Sequence, residues 1–192
     1  MEICILQYDG SYNAEDNLKE VMDLQGKQYP WLHDVGTIAR PLVGRVRIGV
    51  TFPDGQSKTF REGDLANTAE ALGGYTGYYV SSLFGPLSSM FATVNAGMEA
   101  RAAGDEAEQR LFHLDEIKKA LPRDSSALVL IAQTDVCDAM VKLFEFSEPR
   151  PKVIRRQAAD ELRKRLEALH RMLAQGIAAG VAKAEGAGAA TH

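Results

Sequence analysis

An α+β fold is the class this sequence predicts, on three observations. Short strand-like segments, the apolar "ICIL" and "ALVLIA" and the mixed "VRIGV" and "VIRR", alternate with segments of helical periodicity. The segments follow the order β-α-β-β, then α-β-α-β-α, with an uncharged stretch between the two halves. A chain of 192 residues with 45% hydrophobic and 25% charged residues is long enough to bury a core and has ordinary globular composition.

The first half opens on Ile3, Cys4, Ile5 and Leu6, a buried strand apolar on both faces and closed by Asp9-Gly10. Asn13 is placed to cap the next segment, with Asp16 three residues on. Ala14, Leu18, Val21 and Met22 then recur at helical spacing, and Gly26 ends the helix. "HDVGTIAR", from His33 to Arg40, reads as a second strand. In "GRVRIGVTF", Val46, Ile48, Val50 and Phe52 alternate with Arg45, Arg47 and Thr51, so one face is wet. "PDGQ" has turn chemistry, and "SKTFRE" returns as a short polar strand, completing a β-meander or hairpin.

The second half begins with "DEAEQRLFHLDEIKKALP", a polar segment leading into a short helix that stops before Pro122. "SSALVLIAQ" is a buried strand. Thr134 is placed to cap "DVCDAMVKLFEF", where Val136, Met140 and Phe144 share a face with Cys137 and Val141 beside it. Pro149 and Pro151 break the chain before the last strand, "KVIRRQ". From Ala159 a long helix carries Leu162, Leu166, Leu169, Leu173 and Ile177 on one stripe, and the Ala/Gly-rich end is expected to fray.

Between the halves, Ala71 to Gly97 holds no charged residue. Every fourth position is small: Gly73, Gly77, Ser81, Gly85, Ser89, Thr93 and Gly97. Residues four apart lie on nearly one helix face, so this is a stripe against which another backbone can approach closely. Gly85-Pro86 divides the run, since glycine suits a helix end and proline the first turn of the next helix. Two helices are expected, about 64–84 and 86–103. Split in this way, each half has too few uncharged residues to cross a bilayer, which needs about 20. No Lys/Arg cluster stands close to one end to set a topology. A hairpin dipping into one leaflet stays open beside a protein-packed one.

Two β-α-β units sharing one sheet, with helices on one face, amount to a split ferredoxin-like arrangement. The expected organisation is residues 1–64 for the first part of the α+β domain and 65–104 for the Gly-zipper hairpin. Residues 105–174 form the second part of the same domain, and 175–192 the tail. This order, with the hairpin broken at "GP", "LPRDSSALVLI" and the "KVIRR" strand, resembles a bacterial domain family of unknown function usually labelled a predicted membrane protein. The resemblance covers about Met1 to Leu169. Its most specific pieces are Gly73, Gly74, Gly77, Gly85 and Pro86, with Ser125, Ser126, Ala127 and Leu128. Here the hairpin is richer in tyrosine and serine than the family's pattern, and "PLVGRVRI" is an extra piece in the β-meander. The resemblance implies no activity, cofactor or catalytic residue.

Catalytic chemistry is not expected. Glu167 and His170 make a single Glu-x-x-His, where a di-iron bundle needs two such motifs and two further glutamates. His33, His113 and His192 lack zinc spacing. Ser125 and Ser126 precede their strand, the reverse of a nucleophile elbow, and read as turn residues. "GGYTG" lacks the ending of a phosphate loop. Tyr29 and Trp31 read as core or rim packing. Cys4 and Cys137 read as small core hydrophobes in a reducing compartment.

A net charge of −4 argues against a nucleic-acid partner. The charge is uneven, with eight Lys/Arg between Arg150 and Arg171 against three acidic residues, a solvated helix face or a basic patch. No secretory leader is read at the start, so a cytoplasmic protein is expected, membrane association being the open alternative. The function expected is non-enzymatic self-association through the stripe, as a homo-oligomer without cofactor, with peripheral membrane contact as an added possibility. A ferredoxin-like small-ligand sensor is the alternative, on fold analogy alone.

Overall fold

The computed structural model describes residues 1–51, 57–61 and 113–160, with the helical positions Leu162 and Lys164. The elements are β1 (Glu2–Asp9), α1 (Asn13–Gln25), a 3₁₀ helix (Pro30–Asp34), β2 (Gly36–Arg40), β3 (Arg47–Thr51), β4 (Ser57–Arg61), α2 (Leu114–Ala120), β5 (Ser125–Ala132), α3 (Thr134–Leu143) and β6 (Lys152–Gln157). The fold is an α+β mix. Its six strands form one sheet in the order β4-β3-β2-β5-β1-β6, with every neighbouring pair antiparallel. Strands from the two halves of the chain therefore interleave, with β5 lying between β1 and β2.

The strands read from apolar runs form where expected, and β6 coincides with "KVIRRQ". Period-two alternation sorts the sheet into two faces. Cys4, Leu6 and Tyr8 of β1 share one face with Leu128 and Leu130 of β5. Ala14 and Leu18 of α1, Leu32 and Val35, Cys137 and Met140 of α3, and Phe144 just after it pack on that face to make a core cluster. The opposite face carries Ile3, Ile5, Ile38, Ile48, Val129, Ile131 and Ile154, all buried as well. Helix α2 is tied there by an ion pair from Arg156 to Glu116 and by Arg40, whose Nη1 donates to the carbonyl of Leu121. Ile117, Leu121 and Leu162 are buried too.

Three local expectations need correction, and that for Gly26 holds in a different form. Asn13 is the first helical residue of α1, not its cap; Tyr12 holds the cap position, and the Asn13 side chain donates back to the Asp9 carbonyl. Thr134 likewise lies inside α3, after Gln133, and its hydroxyl turns away to Glu2. Gly26 does end α1, but at φ −55°, so the chain leaves through a further turn instead of a left-handed one. The second strand starts at Gly36 and not at His33, because Pro30, with φ fixed for helix, opens a 3₁₀ turn that runs to Asp34. The turn at "PDGQ", the hairpin 65–104 and the tail 175–192 lie outside the described residues.

Candidate functional site

Three polar clusters stand on this frame. The first is at the sheet end where β1 finishes, β2 finishes and β5 begins. Gly10 turns the chain at φ +86°, a conformation that favours glycine, and Asp124 enters β5 at φ +58°. The Gly10 N–H donates to the Asp124 carbonyl at 2.8 Å, and the Asp124 N–H to the Arg40 carbonyl at 2.7 Å. Ser11 donates to Asp124 Oδ1 at 2.9 Å. Ser126 donates to the Gly10 carbonyl at 2.6 Å and accepts from the Ala14 N–H at 3.0 Å. Ser125 donates to the Pro122 carbonyl. The Ser125 and Ser126 hydroxyls serve the backbone, and among the described residues no basic side chain accepts from either. That is the turn role read from the sequence.

The second cluster lines a shallow crease, too tight to hold a water, between the first turn of α1 and strands β2–β4, with Ser11, Glu15, Thr37, Arg47 and Thr59 on its walls. Arg47 pairs with Glu15 at 3.1 Å and lies 5.2 Å from the centre of the Tyr12 ring, a cation–π distance. Gly49 lets β3 approach β2 here, since a Cβ would strike the Thr37 hydroxyl. The crease is thus floored by a close backbone approach and closed by an internal ion pair.

The third cluster joins β1 to α3 and β6. Glu2 of β1 is 8% exposed. Its carboxylate accepts from Arg155 Nε at 2.9 Å, from Arg155 Nη2, from Thr134 Oγ1 at 3.2 Å and from Gln157 Nε2 at 3.2 Å. Arg155 reaches on to Asp138 Oδ1 at 2.5 Å. Asp138 and Glu2 hold the guanidinium charged well above its usual range. Beneath this network the Cys4 and Cys137 thiols meet, both fully buried. The Cys137 Sγ lies 3.9 Å from the carbonyls of Glu2 and Ala132, and the neighbouring thiol and burial push the Cys4 thiol up. Both cysteines occupy the core, as expected.

Tyr8 supplies a pH-dependent test of the core. Its ring is fully buried, and its hydroxyl meets Ser147 Oγ at 3.2 Å, which itself donates to the Phe144 carbonyl. Burial pushes the phenol from 10 up to about 12. A folded-state value above the unfolded one means stability is complete below pH 10 and declines as the pH rises through 12. The loss across that window is expected to reach about 2 kcal/mol. Tyr8→Phe is expected to flatten this alkaline decline in urea unfolding measured at pH 9 and pH 11; an unchanged decline overturns the assignment.

The seven stripe residues singled out in the sequence, Gly73, Gly77, Ser81, Gly85, Ser89, Thr93 and Gly97, lie outside the described residues, as do Glu167 and His170. His113 Nδ1 stands 3.5 Å from Glu116. Among the described residues no group of three or more His, Cys, Asp or Glu could hold a metal ion. The Tyr29 and Trp31 rings lie 5.7 Å apart, tilted at 54°, and pack against the core cluster. Among the described residues no helix is long and apolar enough to cross a membrane. The Glu2–Arg155 network and the double role of Ser126 were missed in the sequence, because their partners lie more than a hundred residues away. No family model, curated protein or solved structure matches this chain.

Proposed function

We propose that this chain is a non-enzymatic, self-associating protein whose Gly-zipper hairpin joins copies into a homo-oligomer, on an α+β frame of ferredoxin-like type. The frame reading is supported by strand order. Taking β1, β2, β5 and β6 as the four strands of a β-α-β-β-α-β unit, their order in the sheet is fourth, first, third, second, with α1 and α3 as the two helices. Strands β3 and β4 extend the sheet beyond β2.

The observation that carries the functional reading is the stripe of small residues at every fourth position from Gly73 to Gly97. Its place in the chain supports it. The stretch falls in the connection from β4, at one edge of the sheet, to β5 in the interior, and the four-strand unit is continuous without it. The proposal includes a cytoplasmic protein without cofactor, in contact with a membrane surface at most from one side. It keeps the likeness to the glycine-zipper family read from the sequence.

Replacing Gly77 and Ser81 together by leucine is expected to reduce the assembly to monomers, with the circular dichroism of the frame unchanged. Light scattering after gel filtration without detergent measures this. An oligomer mass equal to that of the unsubstituted chain would sink the proposal.

A further inference from the structure

We infer that the tip of the β2–β3 connection anchors this protein to an anionic lipid surface, with Leu42 and Val43 entering the acyl boundary and arginines around them meeting the headgroups. Leu42 is 66% exposed and Val43 86% exposed, adjacent residues at one protruding turn. The turn is held in place. Gly44 bends the chain at φ +109°, a conformation side chains other than glycine's rarely adopt, and Arg123 Nη1 donates to the Leu42 carbonyl at 3.3 Å.

The topology gathers cations at this end of the sheet. Arg45 and Arg123 are exposed, and among the described residues neither has a carboxylate partner. Arg40 ends β2 and Arg47 begins β3, on either side of this connection. Lys119 is exposed in the last turn of α2, two residues before the Leu121 carbonyl that Arg40 reaches. Of the acidic residues nearby, Glu15 is paired with Arg47, while Asp9 and Asp124 are exposed, the latter accepting from Ser11. This concentration of positive charge stands on a chain whose net charge is −4.

Three features select a lipid surface over other anions. Two protruding aliphatic side chains offer far less area than a specific protein interface buries. They carry no ring on which nucleic-acid bases stack. An apolar insertion combined with a basic rim is the two-part signal that reversible membrane binding uses. The inference adds to the proposed self-association and does not depend on it.

The test is co-sedimentation of the full chain with phosphatidylcholine vesicles, with and without phosphatidylserine. Sedimentation is expected with the anionic vesicles alone, weakening as salt is raised. Arg45→Glu with Arg123→Gln is expected to lower partitioning about tenfold or more, each cation near the surface being worth roughly fivefold. Leu42→Ser with Val43→Ser is expected to lower it about tenfold. All four side chains are exposed, and light scattering on the variants reports self-association separately. No sedimentation of the unsubstituted chain overturns the inference. So does sedimentation that neither double substitution weakens, which would place the contact elsewhere in the chain. Loss with the arginine variant alone also overturns it, since Leu42 and Val43 would then not enter the bilayer.

Discussion

An alanine at position 126 is expected to lower the unfolding free energy by about 3 kcal/mol. The first amides of a helix have no partner within it and are usually met by a side chain at the cap. In α1 the cap residue is Tyr12, which makes no such bond. The Ala14 amide is met instead by Ser126, at the start of β5, and the same hydroxyl donates to the Gly10 carbonyl. Removing one oxygen atom therefore orphans a donor and an acceptor, one of them on a fully buried residue. Ser125→Ala is the matched control. Its hydroxyl serves only the Pro122 carbonyl, so its loss is expected to cost about 1 kcal/mol. Ser126→Thr keeps the hydroxyl and tests whether the bonds, and not the side-chain volume, carry the effect. Urea unfolding measures all three. A Ser126→Ala loss no larger than that of Ser125→Ala would mean that both orphaned groups find other partners.

Arg155→Met is expected to cost about 3 kcal/mol, for a different reason. The Glu2 carboxylate is held by Arg155, Thr134 and Gln157, and the substitution removes the one cation among them. What destabilises is less the lost attraction than the charge left behind in a poorly solvated place. The arginine side chain is itself 33% exposed, which keeps the figure at the low end for a buried pair. A second substitution follows from the same reasoning. Glu2→Leu combined with Arg155→Met removes the stranded charge and is expected to recover most of the loss. A double variant no more stable than Arg155→Met would show that the network acts through its geometry and not through compensation of a buried charge.

The parts of this fold legible in the sequence are those encoded within a few residues. The "ALVLIA" run is apolar on both faces, and the strand it forms has both faces buried. "KVIRRQ" lies between a proline pair and a helix start, and its strand matches to the residue. The face of α3 read from Met140 and Phe144 is the face that packs, with Cys137 nearer its centre than Val136. The caps failed because Asn13 and Thr134 had the right chemistry for a local bond, while tertiary partners, the Asp9 carbonyl and Glu2, claimed their side chains. Strand order was legible only as a class. Nothing within Gly36–Arg40 or Ser125–Ala132 says which strand each will meet; that choice is made by faces that fit once the helices are in place. Of the candidate surfaces, the stripe from Gly73 to Gly97 is a pattern of sequence alone. The arginines around Leu42 and Val43 could be grouped only when the sheet brought Arg123 beside a hairpin eighty residues earlier.

The position of β1 between β5 and β6 has a consequence for how the protein is made. Strand β1 pairs with residues 125–132 and 152–157, both far downstream of it. At a translation rate of about 5–20 residues per second, its nearest neighbour is roughly 6 to 25 s away when Asp9 leaves the catalytic centre of the ribosome. Through that interval the segment Ile3–Leu6 has no partner strand, and α1 lacks the serine that caps it. The nascent chain therefore presents an apolar strand with free edges, a substrate for chaperones that hold extended hydrophobic segments. Folding of the sheet is a late event, timed by the arrival of its last strands.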